Sequence, residues 1–132
     1  MKITLPKREI KFRAWDKENK KMIGPNFPVD DIYLSLGGKL YNGLNGVEFS
    51  HNFILMQYTG FKDKNRKEIY EGDIIKLYDK FSQKWEVGTI VFKDGCFVWK
   101  KAHDDLIQWL TPYPREWEII GNIFENPELL VK

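Results

Sequence analysis

The sequence predicts a mainly β protein, with an SH3-like small barrel in the C-terminal half packed against an N-terminal β-rich subdomain, and a short C-terminal helical turn. Three observations predict it. Apolar residues gather into seven runs of four to eight residues, rich in β-branched and aromatic types. No apolar pattern of helical period persists along the chain. Gly, Asp and Asn punctuate the runs, with Gly72 and Asp73 opening one and Asp94 and Gly95 joining two others, as tight antiparallel turns require.

In chain order, residues 10–15 (IKFRAW), a DKENKK turn and Met22 and Ile23 read as a hairpin. Side chains alternate across a strand, so Phe12 and Trp15 share a face only if the strand bulges, and one of them is expected to face the barrel. Residues 31–36 (DIYLSL) form the next strand, inside a Gly- and Asn-rich segment from Gly24 to Gly46 that suggests a loose hairpin through Asn42 and Gly43. Residues 53–58 (FILMQY) follow. The second half reads as a meander: residues 74–78 (IIKLY), 85–92 (WEVGTIVF) and 96–100 (CFVWK), then a closing strand at 118–123 (EIIGNI). Gly88 within the long strand suggests a bend or bulge that curls the sheet. Asn126 as N-cap, Pro127 at the first helical position and Glu128 at the positive end predict about one helical turn.

These elements divide at residues 1–62 and 63–132, with the junction in 60–67 and the barrel spanning about 68–124. No Pro- or Ser-rich linker marks the boundary, and one compact unit is the alternative.

A chain of 132 residues with 42% hydrophobic and 15% aromatic content can build a core and excludes disorder. One cysteine allows no internal disulfide, and no Cys or His set has zinc spacing, so no cofactor or structural metal is expected. No run reaches the roughly 18 apolar residues that span a bilayer, and the N-terminal MKITLPKREIKF has no apolar signal core, so no membrane partner is expected. A formal charge of +2 and a pI near 8.5 fall short of the strong basic excess of many nucleic-acid-binding domains.

Residues 55–75 (LMQYTGFKDKNRKEIYEGDII) combine a strand, a charged turn and a Gly-Asp strand opening. With residues 10–23 (IKFRAWDKENKKMI) and 118–130 (EIIGNIFENPELL), this block resembles the YopX family of small bacteriophage and prophage proteins over nearly the whole chain. The resemblance implies a phage-encoded accessory protein in the cytoplasm of a host bacterium, and carries over no specific activity. Where the family pattern more often has Gly in a DKNG-type turn, this chain has Arg66, which puts a two-residue turn in doubt and adds a charge.

The candidate binding surface combines the basic turn Lys62, Lys64, Arg66 and Lys67, interrupted by Asp63, with Trp109 and Trp117, the two indoles expected to be partly exposed around residues 112–114. Basic groups beside aromatic rings are the ingredients of single-strand binding, since cations meet phosphates and rings stack on bases. A solvated turn beside core aromatics is the plainer reading. Glu68, Glu71 and Asp73 could, together with Asp16, bind Mg²⁺ for phosphodiester hydrolysis; otherwise Glu68 and Glu71 are solvated and Asp73 hydrogen-bonds the backbone of its turn. His51 and His103 read as surface residues and Cys96 as a small buried hydrophobe, leaving no catalytic residue to name. The sequence thus favours a non-catalytic binding module for single-stranded nucleic acid or a host or phage protein. An oligomerising structural protein is the first alternative and a carboxylate- or metal-dependent hydrolase the second.

Overall fold

The computed structural model describes residues 2–79, 82–110 and 117–131. Eleven strands are seen among them: β1 (Phe12–Asp16), β2 (Lys21–Ile23), β3 (Ile32–Leu34), β4 (Leu40–Asn42), β5 (Phe53–Lys62), β6 (Glu68–Tyr70), β7 (Asp73–Asp79), β8 (Lys84–Lys93), β9 (Cys96–Lys101), β10 (Ile107–Trp109) and β11 (Trp117–Asn122). Two 3-10 turns, Ser50–Asn52 and Pro127–Leu130, complete the regular structure. One antiparallel sheet has the order β2-β1-β5-β6, a second has the order β10-β9-β8-β7-β11, and β3 and β4 form a separate hairpin.

The first sheet starts from the expected hairpin. Asp16 ends β1 with its Oδ1 accepting the Glu18 and Asn19 backbone N–H groups and its Oδ2 accepting Asn19 Nδ2, so one buried carboxylate organises the turn. Alternation along β1 then sends Ala14 into a core with Ile23, Ile32, Leu40 and Phe53, and sends Arg13 and Trp15 the other way. Trp15 is the residue that meets the C-terminal half: its ring lies 5.2 Å from that of Phe124, the planes 11° apart.

The β8–β9 hairpin has the expected register, Phe92 opposite Phe97 and Lys93 opposite Cys96, closed by Asp94 and Gly95 with φ of 51° and 83°. Both positive angles suit a two-residue turn that follows the right-handed twist of the strands. Gly88, expected at a bulge, instead keeps regular register, and a Cβ there would lie 2.5 Å from both the Lys100 carbonyl and the Trp99 ring. Its place is fixed by the indole of Trp99, which lies against it and donates Nε1–H to Ile75 O at 3.0 Å. Register shifts fall instead in the β5–β6 pair, between Tyr58 and Lys62, and in the β7–β11 pair, between Ile119 and Gly121.

Ile69, Ile75, Leu77, Ile90, Trp99 and Trp117 form the second core. Each is at most 3% exposed, and burying such a side chain contributes roughly 1.5–3 kcal/mol.

The hairpin expected through Asn42 and Gly43 turns earlier, across Ser35 to Lys39, where Gly38 N donates to Ser35 O at 3.0 Å. Asn42 and Gly43 belong to the next loop. Asn126 precedes the terminal turn but does not cap it with its side chain; its Oδ1 reaches back to the Asn122 backbone N–H at 3.2 Å. Among the described residues no helix is long and apolar enough to cross a membrane.

Candidate functional site

The basic turn is built around an acid. Asp63 is 1% exposed, and its Oδ1 accepts the N–H groups of Asn65 and Lys67 at 2.8 and 2.9 Å while its Oδ2 accepts Ile119 N–H at 3.0 Å. Lys64 N–H adds a bond to Trp117 O at 2.9 Å. The backbone of the turn between β5 and β6 is therefore fastened to β11. Arg66 sits at φ 66°, where L-residues other than Asn and Asp are strained, so its backbone takes the left-handed conformation that Gly adopts freely. Lys64 is not available as a free charge: its Nζ lies 3.1 Å from Glu118 Oε2, a carboxylate that Lys76 also approaches at 3.8 Å. Lys62, Arg66 and Lys67 are exposed and make no ion pair among the described residues.

The three carboxylates near the turn are engaged individually. Asp73 pairs with Arg13 Nη2 at 2.8 Å and accepts Tyr70 N–H at 2.8 Å, linking β1 of the first sheet to β7 of the second. Burial raises its carboxyl above the usual range, against the opposing effects of Arg13 and the Tyr70 N–H. Glu71 accepts Gln57 N–H at 2.7 Å, and Glu68 pairs with Lys11. Both are half-buried, which corrects the expectation that they are simply solvated. Burial, with Glu68 adding to it, pushes the Tyr70 phenol up to about 12, so it stays protonated. Among the described residues no group of three or more His, Cys, Asp or Glu is placed to hold a metal ion.

The two candidate indoles separate. Trp109, on the edge strand β10, is 66% exposed. Trp117 is 3% exposed because β11 pairs with β7, setting Trp117 opposite Leu77 in the second core. Its expected exposure is thus corrected, and residues 112–114, thought to lie between the two indoles, fall outside the described residues. His51 and His103 are exposed, and Cys96 is half-buried rather than a core residue, its thiol donating to Lys93 O at 3.3 Å.

Trp109 borders a groove of about 530 Å³ that crosses from one sheet to the other. Gln57, Thr59 and Phe61, successive on one face of β5, form one wall. The tip of the β8–β9 hairpin supplies Phe92 and Phe97, with ring centroids 5.1 Å apart, and Trp109 and Leu110 complete the opposite wall. Arg8 reaches it from the N-terminal segment. The described lining holds four aromatic rings and a guanidinium, and no carboxylate. Thr59 is committed, donating to Ile69 O and accepting Phe61 N–H. The groove offers stacking surfaces and a cation rather than a nucleophile with a base, and its volume falls in the range of ligand sites. The basic turn follows the wall strand β5 in the chain, but none of its four cations is among the described residues that line the groove. Sequence reasoning missed Phe61, Phe92, Phe97 and Arg8. The available signal was the spacing of Phe92 and Phe97 around Asp94 and Gly95, which makes them cross-strand partners in any two-residue hairpin.

A family model described as YopX protein matches residues 11–131. Among solved structures, protein EF1440 from Enterococcus faecalis is 34% identical, with 94% of this chain and 99% of that chain covered and a TM-score of 0.62. Protein yopX from Bacillus subtilis is 22% identical, with 92% and 96% covered and a TM-score of 0.58, a likeness of fold. No match was found among curated proteins.

Proposed function

We propose, from the premise that the chain belongs to the YopX family, that it is a non-catalytic binding module for single-stranded nucleic acid. We assign it to a phage or prophage, acting in the cytoplasm of the host. The observation that carries this reading is the groove, whose described lining holds four rings and one guanidinium; the turn that follows its wall strand adds three exposed cations with no ion pair among the described residues. Base stacking on aromatic side chains contributes about 1–3 kcal/mol per base and tolerates any sequence, while cations along the rim meet the phosphates. Duplex DNA suits the groove less well, because its bases are already stacked on one another.

Binding of a labelled oligonucleotide, followed by anisotropy at several salt concentrations, tests the reading. Trp109→Ala should weaken binding by at least about fivefold, the lower end of one stacking contact. Replacing Lys62, Lys64, Arg66 and Lys67 together by Gln should lower the slope of log affinity against log salt by about 2, since three free cations each contribute about 0.7. Absence of wild-type binding at low salt overturns the reading. Retention on a peptide or protein column that depends on Trp109, without oligonucleotide binding, transfers the groove to a protein partner.

A further inference from the structure

The N-terminal segment ahead of β1 carries three cations and two large apolar side chains that the fold does not use. Residues 2–10 are exposed and without regular structure. Ile3 and Leu5 are 83% and 87% exposed. Lys2, Lys7 and Arg8 have no ion partner among the described residues, whereas the one acid of the segment, Glu9, is held by Lys11 at 2.7 Å. The segment is anchored where it meets the groove: Lys11 O accepts Tyr58 N–H beside the wall strand β5, and Arg8 already lines the groove. Lys11, at the base of the segment, also pairs with Glu68, the residue that follows the basic turn, so the segment starts beside that turn.

We propose that residues 2–8 are a clamp that closes over single-stranded nucleic acid bound in the groove, with Lys2, Lys7 and Arg8 meeting phosphates and Ile3 and Leu5 covering the outer faces of the bases. The assignment rests on the nucleic-acid reading of the groove. Pro6 supports it, because proline lacks an N–H and biases the residue before it to extended backbone, keeping Leu5 out of a helix. Reach is sufficient: the five residues from Arg8 to Ile3 span roughly 17 Å when extended. A cube of the groove's volume would have an edge about half that long. Charge complementarity selects the occupant, since the net charge of the whole chain is only +2 and these three cations with Lys62, Arg66 and Lys67 exceed it threefold, leaving the remainder of the protein net acidic.

The test uses the full chain and a labelled oligothymidylate. In a variant carrying Lys2→Gln, Lys7→Gln and Arg8→Gln, the salt slope should fall by about 2, using about 0.7 per contact, which is a loss of salt sensitivity of roughly 20-fold in affinity between 50 and 200 mM. Tryptic cleavage after Lys7 and Arg8 in the wild type should slow when oligonucleotide is added. Wild-type binding with an unchanged slope in the triple variant, or unprotected cleavage at saturation, overturns the clamp while leaving the groove as the binding site. No wild-type binding at low salt overturns the groove reading and the clamp with it.

Discussion

Replacing Asp63 by Ala should destabilise the protein by about 3–4 kcal/mol, the largest effect expected of any residue in the basic turn. The side chain is 1% exposed and accepts three backbone N–H groups. Hydrogen bonds to a charged acceptor contribute about 1.5–3 kcal/mol each when both partners are buried, and a donor orphaned in the interior costs about 1–3 kcal/mol. The two turn donors belong to exposed residues, Asn65 and Lys67, and can recover water; Ile119 N–H lies in β11 and is less able to do so. One full loss and two partial losses give the stated range, a quarter or more of the stability of many domains. Asp63→Asn separates hydrogen bonding from volume. Its carbonyl oxygen can keep Asn65 and Lys67, but its NH₂ then confronts the Ile119 N–H, so about 2 kcal/mol should be lost. Urea unfolding at neutral pH, with slopes checked for equality, measures both. A loss under 1 kcal/mol for Ala, or wild-type stability for Asn, would refute the assignment of Asp63 as the fastening between the turn and β11.

Further outcomes follow from other positions. Gly88→Ala should cost more than Gly95→Val, because the first forces a Cβ to within 2.5 Å of the Lys100 carbonyl and the Trp99 ring, whereas the second meets only the strain of φ 83° in open space; about 3 against 1–2 kcal/mol is expected in denaturation. Arg66→Gly should hold or raise stability by up to about 1 kcal/mol through release of its left-handed backbone, and should lower the oligonucleotide salt slope by about 0.7. For Asp16, burial raises the carboxyl pKa, but the Asn19 side chain, the Asn19 and Glu18 N–H groups and Lys21 together bring it below its usual value. A folded pKa below the unfolded one means that its stabilisation is present above about pH 4 and lost as pH falls through the folded value. Asp16→Asn should therefore flatten the acid limb of a stability-against-pH curve, and an unchanged limb would count against the turn network.

Much of the fold was legible because it is written locally. Alternating apolar runs and the Asp94-Gly95 pair specify the long hairpin and its register, and the FRAWD hairpin follows from Asp16 and its turn. The short strands β4, β6 and β10 were not, since three residues are too few to display a period of two. Gly88 was read as a bulge because a close approach by a side chain eleven residues away leaves the same residue type as a bend. The candidate site was legible in halves. The basic turn and Trp109 stand out as residue types, but whether a lysine is neutralised depends on Glu118, far along the chain, and whether an indole is exposed depends on which strand covers it, which separates Trp109 from Trp117. The groove draws on four distant segments, and no linear pattern brings Arg8, Phe61, Phe92 and Trp109 together.

The central claim, that this groove receives unstacked bases, is tested most directly by the indole N–H resonances of the five tryptophans during titration with a short single-stranded oligonucleotide. Trp109 should shift progressively and saturate, while Trp99 and Trp117, at 1% and 3% exposure, stay in place. Trp85 is the exposed control, because it is the second residue of the strand that Phe92 nearly ends and lies about 23 Å from it along β8 at about 3.3 Å per residue. A saturable shift of Trp109 with Trp85 unmoved is the predicted result; no indole shift at low salt, or a shift of Trp85 alone, would contradict it.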